Sequence, residues 1–400
     1  MERTAAIMFV ATVFAATIDA AAQDARPHHS IPQRSAEQSM WSLSQAGTAV
    51  ADRVVSTGPA GTGYNADLAL EGLLEFSAAM RAPAYRHDVL KKLVDRKLTP
   101  TTSISWNHQP FSCLTFEVSR ATHDDAWLPV FLEQSKRCRM EILRSPEGGI
   151  LHSRGASRGG GEALLIDALG EYIARMAQAG AISGEPEYFR ECADQLDIYA
   201  AIVRDPVSGL WAQGRGWIGE SPEKLSPGAW SRGHGWLIRG MERSLRWLPP
   251  ESDEFRRVQE HLRKLADALL AKQTQSGLWP CLLHRPPHES PLETSGSAMI
   301  ACHLARAWQA GCLPDEKYKS AALRAFAALP GFVSPEGIVF SVSPGPGPLE
   351  SEEPWLVQSY PPDDPHGTFA ILFAAAAERR LAEHTVRVSP PATDITDQQR

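Results

Sequence analysis

Seven consecutive residues, Trp230-Ser231-Arg232-Gly233-His234-Gly235-Trp236, set two indoles, a guanidinium, an imidazole and two glycines side by side. Indole faces stack on sugar rings, guanidinium grips a carboxylate through paired hydrogen bonds, and glycine lets backbone approach closely. These residue types suit a flat polar ligand with a negative charge, an anionic sugar above all. Packing is the competing account, since two tryptophans six apart ahead of a helix also suit a core. A second candidate is Asp167, a lone carboxylate in the apolar stretch Ala163-Leu164-Leu165-Ile166-Asp167-Ala168-Leu169, behind the glycines at 159–161. Burial there would raise its pKa toward that of a general acid. An aspartate near a helix start also serves as a cap or offsets the helix dipole.

The elements that must position these groups show as a repeat. A polar loop carrying glycine, then apolar residues, recurs as Gly149-Ile150-Leu151, Gly209-Leu210-Trp211, Gly277-Leu278-Trp279 and Gly337-Ile338-Val339, at spacings of 60, 68 and 60 residues. Periods of this size mark stacked supersecondary units. Apolar periodicity predicts paired amphipathic helices at 162–178 with 187–203, 237–247 with 254–274 and 297–310 with 315–329. Upstream, 66–80 with 85–96 and 111–120 with 125–144 continue the theme, and 367–383 supplies a last helix. About six hairpins of roughly 60 residues fill the chain. An open solenoid could use the same hairpins, but six can close into a ring. The expected fold is all-α, an (α/α)6 barrel forming a single domain over 41–388. Its glycine-containing loops should cluster at one mouth and carry function.

Composition bounds the rest. Residues 5–18 are apolar and Ala20-Ala21-Ala22 offers a small-residue cleavage site, so 1–22 resembles a secretory signal peptide too short for a membrane anchor. The chain is therefore expected to be secreted or periplasmic, with a flexible lead-in over 23–40 and a disordered tail over 389–400. A formal net charge of −7 argues against nucleic acid as partner. Six cysteines stand far apart with no C-x-x-C pair, which argues against zinc. Buried free thiols are expected, with a disulfide as the alternative in an exported protein. No metal or other cofactor, no membrane and a monomeric state are expected.

Several segments together resemble the unsaturated rhamnogalacturonyl hydrolases of glycoside hydrolase family 105 and the related unsaturated glucuronyl hydrolases of family 88. They are the Trp230–Trp236 run, Ile166-Asp167-Ala168-Leu169, Ser276-Gly277-Leu278-Trp279, Leu292-Glu293-Thr294-Ser295-Gly296-Ser297-Ala298-Met299 and Asp364-Pro365-His366-Gly367. The matches spread from about residue 60 to 385. The resemblance implies an enzyme acting on oligosaccharides capped by a 4,5-unsaturated uronate. Such enzymes hydrate the C4=C5 bond: a carboxylic acid protonates C4, water adds at C5, and the hemiketal opens and expels the sugar beneath. One acid/base group can serve both proton transfers, so the usual two-carboxylate spacing test does not apply. By the same resemblance Asp167 is the acid/base, Arg232 grips the uronate carboxylate and Trp236 lies beside the sugar ring. Trp230 reads as loop packing.

Departures from the family pattern touch specificity. Asn107, in Trp106-Asn107-His108, stands where a second aspartate is common, and an amide cannot accept a proton. Gln213 replaces a frequent histidine, Ile166 a frequent tryptophan and His234 the signature asparagine. Asn107, His108, His152, Trp211, Gln213 and His234 join Arg232 and Trp236 as expected substrate contacts. His366 reads as a capping or closure residue, Glu293 with Ser295 as a capping arrangement, and Asp67 as another cap. Three other functions fit parts of the pattern. A conventional inverting glycosidase would draw a second carboxylate from Asp67, Asp124 or Glu293. A sugar epimerase would use His152, His234 and His366. A catalytically weakened glycan-binding protein would follow from Asn107 and Gln213.

Overall fold

A computed structural model describes residues 41–59, 63–95, 113–153, 162–216, 223–345, 351–357 and 360–388. The expected leader, lead-in and tail, together with Asn107, His108 and the glycines at 159–161, lie outside the described residues.

Two burial patterns sort the long helices into two rings. In α9 (Asp253–Leu270) only Val258, Leu262, Leu265, Ala266 and Leu269 are buried, a single stripe at helical spacing, as for a helix with one face in water. In α8 (Ser231–Leu245) every residue is buried, as for a helix surrounded by others. The inner helices are α2 (Tyr64–Met80), α4 (Leu114–Thr122), α6 (Ile166–Ser183), α8, α10 (Thr294–Gln309) and α13 (Pro365–Val388). Short turns return each of the first five to an outer partner: α3 (Pro83–Asp95), α5 (Leu128–Glu141), α7 (Pro186–Val203), α9 and α11 (Glu316–Ala328). The last inner helix, α13, follows the short α12 (Glu353–Val357) and packs on α2 and on α1 (Leu43–Thr57), so the ring closes. The protein is an all-α (α/α)6 barrel.

Every inner helix begins at the same end of the ring, reached by the long connections, and that end is the mouth. The glycine repeat is one turn used four times there, after α5, α7, α9 and α11. Each has a glycine at positive φ, at Gly148, Gly209, Gly277 and Gly337, where a side chain would be strained. In each, a residue at the turn's start donates to a carbonyl just past the glycine: Ser145 to Gly149, Asp205 to Leu210, Thr274 to Leu278 and Ser334 to Ile338, at 2.8–3.0 Å.

Three elements differ from expectation. Residues 162–165 form a strand rather than helix: β2 (Glu162–Leu165) pairs antiparallel with β1 (His152–Ser153) and β3 (Gly214–Gly216). The helix expected at 237 starts at Ser231, because Gly233 and Gly235, which weaken an isolated helix, here face neighbouring helices that need the space. At the α6–α8 crossing a β-carbon on Gly240 would stand 2.6 Å from the Cα of Gly170. Helix α1 was not foreseen, although Ser42 and Gln45 form a capping box at its start.

Below the mouth the lumen is filled by charge. Arg239 donates to Glu171 at 2.6 Å and to Glu71 at 2.7 Å, while Arg243 bonds Glu71 and reaches Glu117 at 2.9 Å. Farther round, Arg306 pairs with Glu75, and Glu242 with His303 at 2.8 Å. These pairs tie α2, α4, α6, α8 and α10 across the axis. Removing one partner of a buried pair strands the other's charge. Glu71→Ala should cost about 3–5 kcal/mol of stability, read by chemical denaturation; a loss below about 1 kcal/mol would show the network to be dispensable.

Candidate active site

Strand β2 runs directly into α6, so Asp167 is the second residue of an inner helix at the mouth. Ile166 N–H donates to the Gln213 carbonyl at 3.1 Å, pinning the junction to the loop beside β3. The first turn of α8 crosses close by: a β-carbon on Gly233 would lie 2.8 Å from Ile166 Cδ1 and 3.2 Å from Asp167 Oδ1. Burial raises the Asp167 pKa to about 7, against a smaller lowering by the Arg232 charge and by its own main chain. Its Oδ1 is buried and accepts no hydrogen bond among the described residues. An ordinary cap would be ionised and bonded to helix N–H groups, so the capping account of Asp167 does not fit.

Arg232 is fully buried and held on three sides. Its guanidinium lies 4.3 Å above the Trp230 ring, whose Nε1 donates to Ser343 Oγ at 3.0 Å. Nη1 donates to Ser295 Oγ at 3.1 Å and to the Ser343 carbonyl, with Glu293 Oε1 3.6 Å away. Glu293 caps α10 through Gly296 N–H and also accepts from Ser295 Oγ and Ser343 N–H, so the expected capping residue is also the anchor of the arginine's surroundings. Nε and Nη2 hydrogen-bond to nothing among the described residues. The charge of Arg232 acts on Asp167, Tyr64, His366 and Asp364, so the guanidinium lies near that group, and a β-carbon on Gly345 would stand 3.6 Å from both its Nη2 and His366 Cε1. Two parallel N–H donors on one edge are the fork that matches a carboxylate.

Other expected contacts are placed differently. His234 is fully buried with both ring nitrogens on main chain: Nδ1 lies 2.7 Å from the Trp230 carbonyl and Nε2 accepts from Trp211 N–H at 3.0 Å. Burial holds it neutral, with its pKa lowered to about 4. It fixes the loop, and the expected substrate contact is corrected accordingly. Trp211 and Trp236 are 1% and 2% exposed; the first meets His261 edge-on, and the second packs on Phe369, which in turn meets His366 edge-on. Gln213 is buried and its main chain does the positioning described above. His152 lies partly buried in β1, paired with Ala163. Of the alternative carboxylates, Asp124 caps the short turn between α4 and α5 at the far end of the ring, and Glu293 is sealed in its network. Asp67 sits within the first turn of α2 rather than capping it. All six cysteines are free, five of them buried.

Sequence patterns missed Tyr64, which meets His366 Nε2 through its hydroxyl at 2.8 Å, and gave Asp364 no separate role. The glycine before Tyr64 and the carboxylate-proline pair before His366 mark helix starts, but only ring closure brings α2 beside α13.

The six-hairpin ring thus carries a high-pKa carboxyl and an arginine fork at its mouth. The profile of Glycosyl Hydrolase Family 88 matches residues 40–381, and the chain belongs to that family. It is a glycoside hydrolase. Among curated relatives it is 25% identical, over 66% of this chain and 75% of the other, to an unsaturated rhamnogalacturonyl hydrolase of Bacillus subtilis. It is also 25% identical, over 50% and 47%, to an unsaturated 3S-rhamnoglycuronyl hydrolase of an Alteromonas species. A Salmonella enterica protein described as a possible member of family GH105 has the same fold, with a TM-score of 0.72 and 22% identity over 87% of this chain and 96% of that one.

Proposed function

We propose that this hydrolase removes a 4,5-unsaturated uronic acid from the non-reducing end of lyase-generated oligosaccharides by hydrating the C4=C5 bond. One observation carries the reading: a carboxyl with its Oδ1 buried and its pKa raised to about 7 lies within the field of a guanidinium whose Nε and Nη2 are unbonded among the described residues. A carboxyl of that pKa is still protonated near neutrality and can deliver a proton to carbon. The fork holds the uronate carboxylate, which sits on C5 and so fixes the double bond against the acid. The activities for which the Bacillus and Alteromonas relatives are named support the same substrate class.

The test is loss of the ultraviolet absorbance of the conjugated uronate, on unsaturated disaccharides from pectin, ulvan, alginate and glycosaminoglycans. Turnover of at least one is expected. Binding without turnover would favour a glycan-binding protein, and saturated glycans as the sole substrates would favour a conventional glycosidase.

A further inference from the structure

Three residues outside the acid and the clamp form a hydrogen-bonded chain that ends in the site. Asp364 Oδ1 accepts from His366 N–H at 3.0 Å and lies 2.6 Å from His366 Nδ1. A carboxylate only accepts, so Nδ1 carries the imidazole hydrogen and Nε2 is the acceptor nitrogen. Tyr64 O–H donates to that nitrogen at 2.8 Å. The loop bearing Asp364 is braced from outside, where the adjacent Asp363 pairs with Arg53 of α1 at 2.5 Å.

This chain faces the reacting groups. The Tyr64 ring packs on Leu165 and Ala168, the residues that bracket Ile166 and Asp167. Its phenol senses the charges of both Arg232 and Asp167. A β-carbon on Gly345 would lie 3.6 Å from both Arg232 Nη2 and His366 Cε1, so clamp and imidazole are neighbours across one residue of backbone. A hydroxyl that only packs needs any one acceptor. Here the acceptor is an imidazole oriented by a carboxylate, the arrangement by which hydrolases draw a proton from a hydroxyl.

We propose that Tyr64, backed by His366 and Asp364, takes the proton of the adding water and leaves Asp167 to protonate carbon. The proposal rests on the hydration chemistry above. The Asp167 O–H bond breaks as C4–H forms from the π pair, and a water lone pair forms the C5–O bond. One water O–H then breaks toward the Tyr64 oxygen while the Tyr64 O–H breaks toward Nε2. His366 becomes an imidazolium beside Asp364, and Asp167 a carboxylate. The site resets when the imidazolium releases its proton through Tyr64 to solvent and Asp167 takes one up.

Charge makes the relay respond to the substrate. Burial, then the Arg232 cation, lowers the His366 pKa to about 4, against a smaller raising by Asp364. A uronate carboxylate on the Arg232 fork offsets that cation and makes the imidazole more basic as the substrate binds. Among the described residues the charged groups acting on the relay are thus Arg232, Asp364 and, through Tyr64, Asp167.

The experiment compares kcat, KM and melting temperature for the full chain and for Tyr64→Phe, His366→Gln and the double variant on one unsaturated disaccharide. Each single change should lower kcat about 10²-fold, with KM within about threefold and melting nearly unchanged. The double variant should be no slower than the worse single one, because both remove one relay. A Phe variant that keeps wild-type kcat, or two losses that multiply, would overturn the relay while leaving the hydration chemistry standing. A wild type inert on every unsaturated disaccharide would overturn both together.

Discussion

Asp167→Asn should reduce turnover by at least about 10³-fold while leaving substrate binding within a few fold. The amide keeps the shape of the carboxyl but has no proton to deliver to C4, so the loss should fall on kcat rather than KM. In the unmodified enzyme the proton is present below a pKa of about 7, so the rate should decline as pH rises through that value. The same shift has a stability consequence that runs in the same direction with pH. A carboxyl whose folded pKa lies above its ordinary 3.8 binds its proton more tightly when folded. Its contribution is therefore fully present at low pH and is lost as pH rises from about 4 to about 7. At pH 8 the wild type holds an ionised carboxylate in a poorly solvated place, and the asparagine variant does not. Asp167→Asn should thus be the more stable protein at pH 8, by on the order of 1–3 kcal/mol, with the gap closing toward pH 4. Melting curves at the two pH values, set beside the absorbance assay, check both halves. A variant that keeps its turnover, or that loses stability at pH 8, would remove Asp167 from the role of buried acid.

The ring was legible because its cause repeats. Four turns each need a glycine at positive φ after an outer helix, and that need surfaces as a period near 60 residues. Asp167 was legible for a related reason: a lone carboxylate in an apolar run is either costly or useful. The glycines of the Trp230–Trp236 run were harder to interpret. Expected to admit ligand, they admit neighbouring helices, Gly233 against Ile166 and Gly235 against Met299. His234 misled for the same reason, since a titratable ring in a signature invites chemistry, whereas both of its nitrogens serve backbone groups. Trp230 does pack, and what it packs against is the Arg232 guanidinium. Least legible were groups that depend on contacts across the ring. Tyr64 and His366 lie 302 residues apart and meet only because α13 closes on α2. Glu71 and Arg243 are 172 apart, and Glu71 alone would look like a misplaced charge among the leucines of α2. Periodicity reports which face of a helix is buried, but not which partner waits there.

Arg232 tests the other half of the site, and two substitutions separate its geometry from its charge. Arg232→Lys keeps a cation but loses the planar fork, so a uronate carboxylate would be held by one donor direction instead of two. Its kcat/KM should fall roughly 10²-fold, with the pH dependence nearly unchanged because the charge beside Asp167 remains. Arg232→Gln removes the charge as well. The Arg232 cation lowers the Asp167 pKa, so its loss should move the decline in rate to higher pH even as the rate itself drops further. The Gln variant also leaves Glu293, fully buried and 3.6 Å from the missing guanidinium, without its countercharge. A destabilisation of about 3–5 kcal/mol is expected from that alone, so the comparison belongs at a temperature where melting curves show both variants folded. If Lys and Gln variants matched the wild type in kcat/KM, the fork would not be the carboxylate clamp. If the Gln variant lost rate with no movement of its pH dependence, Arg232 would bind substrate without tuning the acid, and the coupling between clamp and proton donor would have to be abandoned.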